Sequence, residues 1–168
     1  MIIVIIYMII SFMLDALISN FINMSITNPS IFNTIYSVIA LVIIYNYFDD
    51  DNKYIKILLV LGILFDIVYT STFLLNIFIF IVIYIVIKFI NEYIPNNLFT
   101  INIKSLIAIS LYHILSYLIL MLVHYDYYSF KCLLLMIPKS IIMSVIYTSI
   151  SYIMMKKIYF KKYTKKIK

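Results

Sequence analysis

Between Lys56 and Lys88 the chain carries a single charged side chain, Asp66. So long an uncharged stretch is foreign to an ordinary water-soluble domain. A continuous helix from Tyr54 to Ile94 would reach about 60 Å, twice the roughly 30 Å hydrocarbon core of a bilayer. The chain therefore has to turn back on itself near residues 70–74, where Tyr69, Thr70, Ser71, Thr72 and Asn76 are the only polar punctuation. The rest of the sequence follows the same pattern. Of 168 residues, 65% are hydrophobic and 12% charged, with 13 lysines, no arginine and one glycine. An average globular domain has about 25% charged residues, and a disordered chain needs low hydrophobicity. Both classes are excluded.

Six apolar runs can be marked, over residues 2–21, 31–48, 54–70, 74–94, 103–123 and 132–155. Six spans of about 20 residues would use about 120 positions and leave no room for a soluble domain. The predicted fold is thus an all-α, six-span membrane domain over 1–155, with a basic tail over 156–168. The breaks are an Asn-Pro segment before residue 31, the charged turn Asp49-Asp50-Asp51-Asn52, Pro95-Asn96-Asn97, and His124 to Ser129. The apolar N-terminus lacks a basic leader and contains Asp15, so it reads as a retained first span rather than a signal peptide. The lysines orient the spans. With both termini inside, the cytoplasmic segments hold Lys53, Lys56, Lys88, Lys104 and the seven tail lysines, and the outer loops hold Lys131. This is the positive-inside pattern. Tyrosines near run ends, such as Tyr45, Tyr47, Tyr54, Tyr125, Tyr127 and Tyr128, are expected at the headgroup level.

Charges inside the runs are the candidate functional residues, because an acid near the middle of a span costs roughly 2.5 to 3.5 kcal/mol on insertion scales. Gly62, Asp66, Tyr69 and Thr70 share a face of an α-helix. Asp66 is either a ligand or proton site, or a buried acid bonded to neighbouring hydroxyls. Asp15 lies on a stripe with Tyr7, Ser11 and Ser19. Asp15, Asp66 and Lys139 all fall in the outer half of the membrane. Lys139 is expected either to pair with Asp15 or Asp66, or to reach the surface from a span that begins at Pro138, leaving 130–137 interfacial or re-entrant. His113, beside Tyr112, Ser116 and Tyr117, is either a proton relay or a neutral, hydroxyl-bonded histidine. Asn76, Phe80 and Tyr84 line one face of the fourth run, with Asn76 able to cap a helix start. Ser140, Ser144 and Thr148 form a small-residue row suited to helix packing and to docking a partner's helix.

The tail lysines Lys156, Lys157, Lys161, Lys162, Lys165, Lys166 and Lys168 are expected to grip anionic lipid rather than nucleic acid. Cys132 stands alone as a structural thiol. No phosphate-binding glycine loop, metal-binding cluster or nucleophile motif occurs, so no catalytic residue, metal or cofactor is expected.

The segment Gly62-Ile63-Leu64-Phe65-Asp66-Ile67-Val68-Tyr69-Thr70, followed by Leu74-Leu75-Asn76, resembles the rod shape-determining protein MreD family as found in Firmicutes. Supporting matches are Ser11-Phe12-Met13-Leu14-Asp15 with Ser19-Asn20-Phe21, and Lys139-Ser140-Ile141-Ile142 through Tyr147. The resemblance implies a non-catalytic scaffold in the bacterial plasma membrane. Its partners would be an MreC-like single-span protein, MreB filaments, a RodA-type glycosyltransferase and a class B penicillin-binding protein. It also implies a fold similar to the S components of energy-coupling factor transporters. A vitamin-binding S component is accordingly the alternative, although this chain lacks the Trp, Arg and Gly-rich loops with which those proteins line a pocket.

Overall fold

A computed structural model of the protein describes residues 2–22, 34–48, 50–70, 74–123 and 129–164, with the backbone alone at 19–22, 70 and 159–164. Helices α1 (Ile2–Ile22), α2 (Tyr36–Tyr45), α3 (Asp51–Phe65), α4 (Leu75–Tyr93), α5 (Leu98–Leu122) and α6 (Phe130–Thr164) follow in order. A π-helical turn, Asp66–Thr70, extends α3. The described residues contain no strand. Ile, the commonest residue in these segments, favours strands in water. Where water is absent, the backbone must satisfy its own hydrogen bonds, and a helix does so within one segment.

The core is mainly apolar but encloses a set of small polar side chains, and the outer surface of the helices is largely apolar. Ser11, Ser37, Asn76, Ser105, Ser144 and Thr148 are fully buried, whereas Ile5, Ile9, Met13, Val60, Phe78, Ile85, Ile146 and Ile150 are exposed. Three segments, Leu75–Tyr93, Leu98–Leu122 and Phe130–Ile158, are each long and apolar enough to cross a membrane. These properties of the described residues are those of a helical membrane protein.

Helix α2 departs from the expected run over 31–48. It has ten residues, about 15 Å of rise, or half a hydrocarbon core. Every residue from Tyr36 to Ile44 is buried. A helix that is apolar all round belongs inside a bundle, and α2 packs against α1, α4, α5 and α6. Thr34 and Ile35 precede it in extended or irregular backbone, and Asn46 to Phe48 leave it through turn hydrogen bonds. Residues 31–33 lie outside the described residues.

Helix α6 corrects a second boundary. It runs through Pro138 without interruption, 35 residues or about 52 Å, so 130–137 is not a separate re-entrant segment. Proline removes one helix hydrogen bond. Close by, the Ser140 hydroxyl donates to the Ile137 carbonyl at 2.8 Å. The aromatic ends also differ from expectation. Tyr54 is buried, its ring 5.1 Å from Tyr45 and 5.4 Å from Tyr84, and its hydroxyl donates to Leu41 O at 3.1 Å. Tyr54 is a core residue rather than a headgroup contact. Tyr125, Tyr127 and Tyr128 lie outside the described residues.

Helices α3 and α4 pack closely because Gly62 has no side chain. A Cβ there would stand 2.9 Å from Ile77 Cα and 2.8 Å from its Cγ1. Backbone cannot move aside as a flexible side-chain tip can. Gly62→Ala should therefore separate α3 from α4 and cost about 1–3 kcal/mol, read as a lowered melting temperature in detergent; an unchanged value would show that the close approach is not required.

Candidate functional site

The polar centre begins where α4 begins. Its N-cap residue, Leu74, has left-handed backbone (φ 66°, ψ 1°) and no side-chain oxygen to offer the first turn. A leucine in this conformation costs about 1–2 kcal/mol. The missing acceptor comes from eight residues earlier. Asp66 Oδ1 accepts from the Asn76 backbone N–H at 2.9 Å and from Asn76 Nδ2 at 2.9 Å. Asn76 Oδ1 in turn accepts from the Tyr112 hydroxyl at 2.7 Å. One buried chain of hydrogen bonds thus joins α3, α4 and α5. Asn76 is the residue that is capped, not the cap.

Asp15 does the same for α2. The N-cap position is Ile35, again without a side-chain acceptor. Asp15 Oδ1 accepts from Tyr36 N–H at 2.7 Å and Oδ2 from Ser37 N–H at 2.9 Å. A carboxylate at a helix N-terminus satisfies orphan amides and complements the helix dipole. The two capped starts are linked. The Tyr69 hydroxyl donates to Phe12 O at 2.6 Å, and the Phe12 ring meets those of Phe65 and Tyr69 edge to face at 5.8 and 5.1 Å.

Other expected seam residues are placed as follows. Gly62 and Asp66 are buried, and Tyr69 is half-buried. Beyond Asp66 the chain continues as a π-helical turn in which Ile67 and Val68 are exposed. The side chains of Thr70 and Ser19 lie outside the described residues. His113 is buried, its ring 6.1 Å from that of Tyr112. Lys139 is exposed on α6, while both Asp15 oxygens accept from backbone amides of α2.

The Ser140, Ser144 and Thr148 row is fully enclosed by the chain itself. The Thr34 hydroxyl donates to Ser140 O at 3.0 Å and lies 3.2 Å from Ser144 Oγ. Nearby, Ser11 and Tyr147 share a hydrogen bond of 2.8 Å between α1 and α6. The row is closed off within the described residues and is not open to a partner's helix. Lys156 and Lys157 are exposed, and Lys156 Nζ sits 5.8 Å from the Tyr152 ring centre. Helix α6 continues past Lys161 and Lys162; Lys165, Lys166 and Lys168 lie outside the described residues.

One buried charge escaped the sequence reading. Lys104, counted there as a topological lysine, is 1% exposed and donates to Asn91 Oδ1, Asn96 Oδ1 and Ile94 O. A signal existed, since Lys104 lies on the helical stripe of Ile101, Ser105, Ala108 and Tyr112, all buried. At the same end, Lys88 Nζ meets Asp51 Oδ2 at 2.5 Å, a half-exposed pair. That hydrogen bond holds the Asp51 carboxyl below its usual range.

Comparison with protein-family models, with curated proteins and with solved structures gives no match. The described residues form a helical bundle of membrane-protein character whose central polar groups bind one another across helices.

Asp66→Ala should cost about 2–4 kcal/mol, because it leaves the Asn76 amide without its acceptor. In a cycle with Asn76→Ala, measured as detergent stability, the two losses should be strongly non-additive; additive losses would dissolve the link. For Asp51, a depressed folded pKa means stability present above about pH 4 and lost as the pH falls through the folded value. Lys88→Met should therefore destabilise slightly at neutral pH and progressively less below about pH 4, the effect being small because the pair is half in solvent.

Proposed function

We propose that this chain is a non-catalytic membrane scaffold of the bacterial cell-elongation complex, with the role of the MreD family that its central motif resembles. It would cross the plasma membrane six times, with both termini in the cytoplasm. It would bind an MreC-like single-span protein and link MreB filaments to peptidoglycan synthesis by the RodA-type glycosyltransferase and the class B penicillin-binding protein. The observation that supports this reading is the joining of Gly62, Asp66 and Asn76, the residues that carry the resemblance, into one packed and hydrogen-bonded corner. Such a corner suits a part that has to hold its shape. With the Ser140, Ser144 and Thr148 row enclosed, the partner's helix would meet the exposed apolar side of the bundle. The lysine distribution supports the orientation.

Co-expression of the tagged chain with the MreC-like protein of the same genome tests the proposal. The partner should be retained through detergent purification, while an unrelated single-span protein should not. Loss of the partner with both proteins present in the membrane would overturn the assignment. A vitamin recovered stoichiometrically with the purified chain, identified by mass spectrometry, would favour the transport alternative.

A further inference from the structure

The turn between α4 and α5 is built unlike an ordinary solvent-facing loop. Three successive carbonyls each accept a side-chain hydrogen bond from α5 or α6. Ile94 O takes Lys104 Nζ at 3.0 Å, Pro95 O takes the Thr100 hydroxyl at 2.6 Å, and Asn96 O takes the Tyr152 hydroxyl at 3.4 Å. Two asparagine side chains flanking the turn are used too. Asn91 Oδ1 and Asn96 Oδ1 complete the three acceptors around the Lys104 ammonium, at 2.5 and 2.6 Å. Asn97 and Thr100 form a reciprocal cap at 2.9 and 3.0 Å. Water normally supplies partners to loop carbonyls at no cost in chain order. A turn that supplies its own is suited to a place where water is scarce.

The side chains around this frame point the same way. Phe89, Tyr93 and Phe99 are 62%, 70% and 72% exposed, with the Phe89 and Tyr93 rings 5.0 Å apart. The turn joins two helices that are each long and apolar enough to cross a membrane, so it lies at a membrane face. Its lysine is turned inward and spent on the frame, so attraction to anionic headgroups is not what would hold this surface. Tyr93, an aromatic ring with a polar edge, suits the headgroup–acyl boundary, and the Phe89 and Phe99 rings beside it suit the acyl side of that boundary.

We propose that the α4–α5 turn is an interfacial anchor: Phe89, Tyr93 and Phe99 sit at the headgroup–acyl boundary of the bilayer, and Lys104 braces the turn that presents them. The proposal rests on the membrane assignment and is independent of the elongation role. It gives Lys104 a positioning task in place of a topological one. The anchor would set the depth of α4 and α5 in the bilayer through shape and aromatic contact rather than net charge.

The chain has no tryptophan, so a single introduced indole reports depth without background. Phe99→Trp and, separately, Ile85→Trp, at an exposed site in the middle of α4, would be reconstituted in vesicles of phosphatidylcholine brominated near the headgroup, at mid-chain or near the chain end. The Phe99→Trp protein should be quenched most by shallow bromines and the Ile85→Trp protein by deeper ones. Quenching of Ile85→Trp with none of Phe99→Trp would overturn the anchor, as would strongest quenching of Phe99→Trp by chain-end bromines. Absence of quenching in both variants would overturn the anchor together with the membrane assignment on which it rests. For the brace, Lys104→Met in the Phe99→Trp background should lower the indole anisotropy and broaden its depth profile. Thr100→Val, which leaves the lysine in place and removes the Pro95 contact together with the Thr100 half of the reciprocal cap, should do so to a lesser degree. Unchanged anisotropy and depth in both variants would overturn the bracing role.

Discussion

A helix that starts inside an apolar bundle has amide groups with no water to bond, and every such start has to be matched by an acceptor from elsewhere in the chain. In this protein two aspartates meet that need. Asp15 takes the first amides of α2, and Asp66 takes an amide in the first turn of α4. Much of the remaining architecture depends on these contacts. Helix α2 can be short and wholly enclosed because its start is satisfied in place. Leu74 can hold a left-handed conformation because the turn it begins is closed by Asp66. Gly62 brings α3 near enough to α4 for Asp66 to reach, and the chain continues beyond it as a π-helical turn.

The same rule governs the cations. An ammonium group in a nearly dry site needs three acceptors, and Lys104 finds three in two asparagines and a helix-end carbonyl. Lys88 finds Asp51 at the edge of the bundle, where both remain half in solvent. Interior polar side chains, by contrast, work mainly between helices. Ser11 with Tyr147, Thr34 with Ser140 and Ser144, and Asn102 with Ser149 at 3.1 Å each tie α6 to another part of the chain. The large apolar side chains on the outward surface are chiefly isoleucine, leucine, phenylalanine and methionine.

That division bears on function. The polar seam, the natural place to look for chemistry, is engaged in holding α1 to α5 together, which favours a structural role for Asp15, Asp66 and Asn76. As the scaffold proposed above, the chain would offer partners two things: an apolar perimeter for another helix, and a defined depth in the bilayer. The proposed aromatic anchor between α4 and α5 would contribute to the second.

Sequence alone pointed to the class, because 65% apolar residues gathered in long runs suit membrane-spanning helices and not an ordinary soluble domain. It located the breaks at Asp50, Pro95 and Asn97, where capping and turn chemistry is local, and it singled out Asp15, Gly62, Asp66 and Asn76 as anomalies in an apolar setting. Which group each anomaly meets was beyond it. Asp66 bonds ten residues ahead and Asp15 more than twenty, distances that no helical period encodes. The length of α2, the burial of Lys104 and the enclosure of the Ser140, Ser144 and Thr148 row likewise depend on which helices become neighbours. Periodicity marks a face as polar or small, and only tertiary packing decides whether that face meets lipid, a partner or another helix of the same chain.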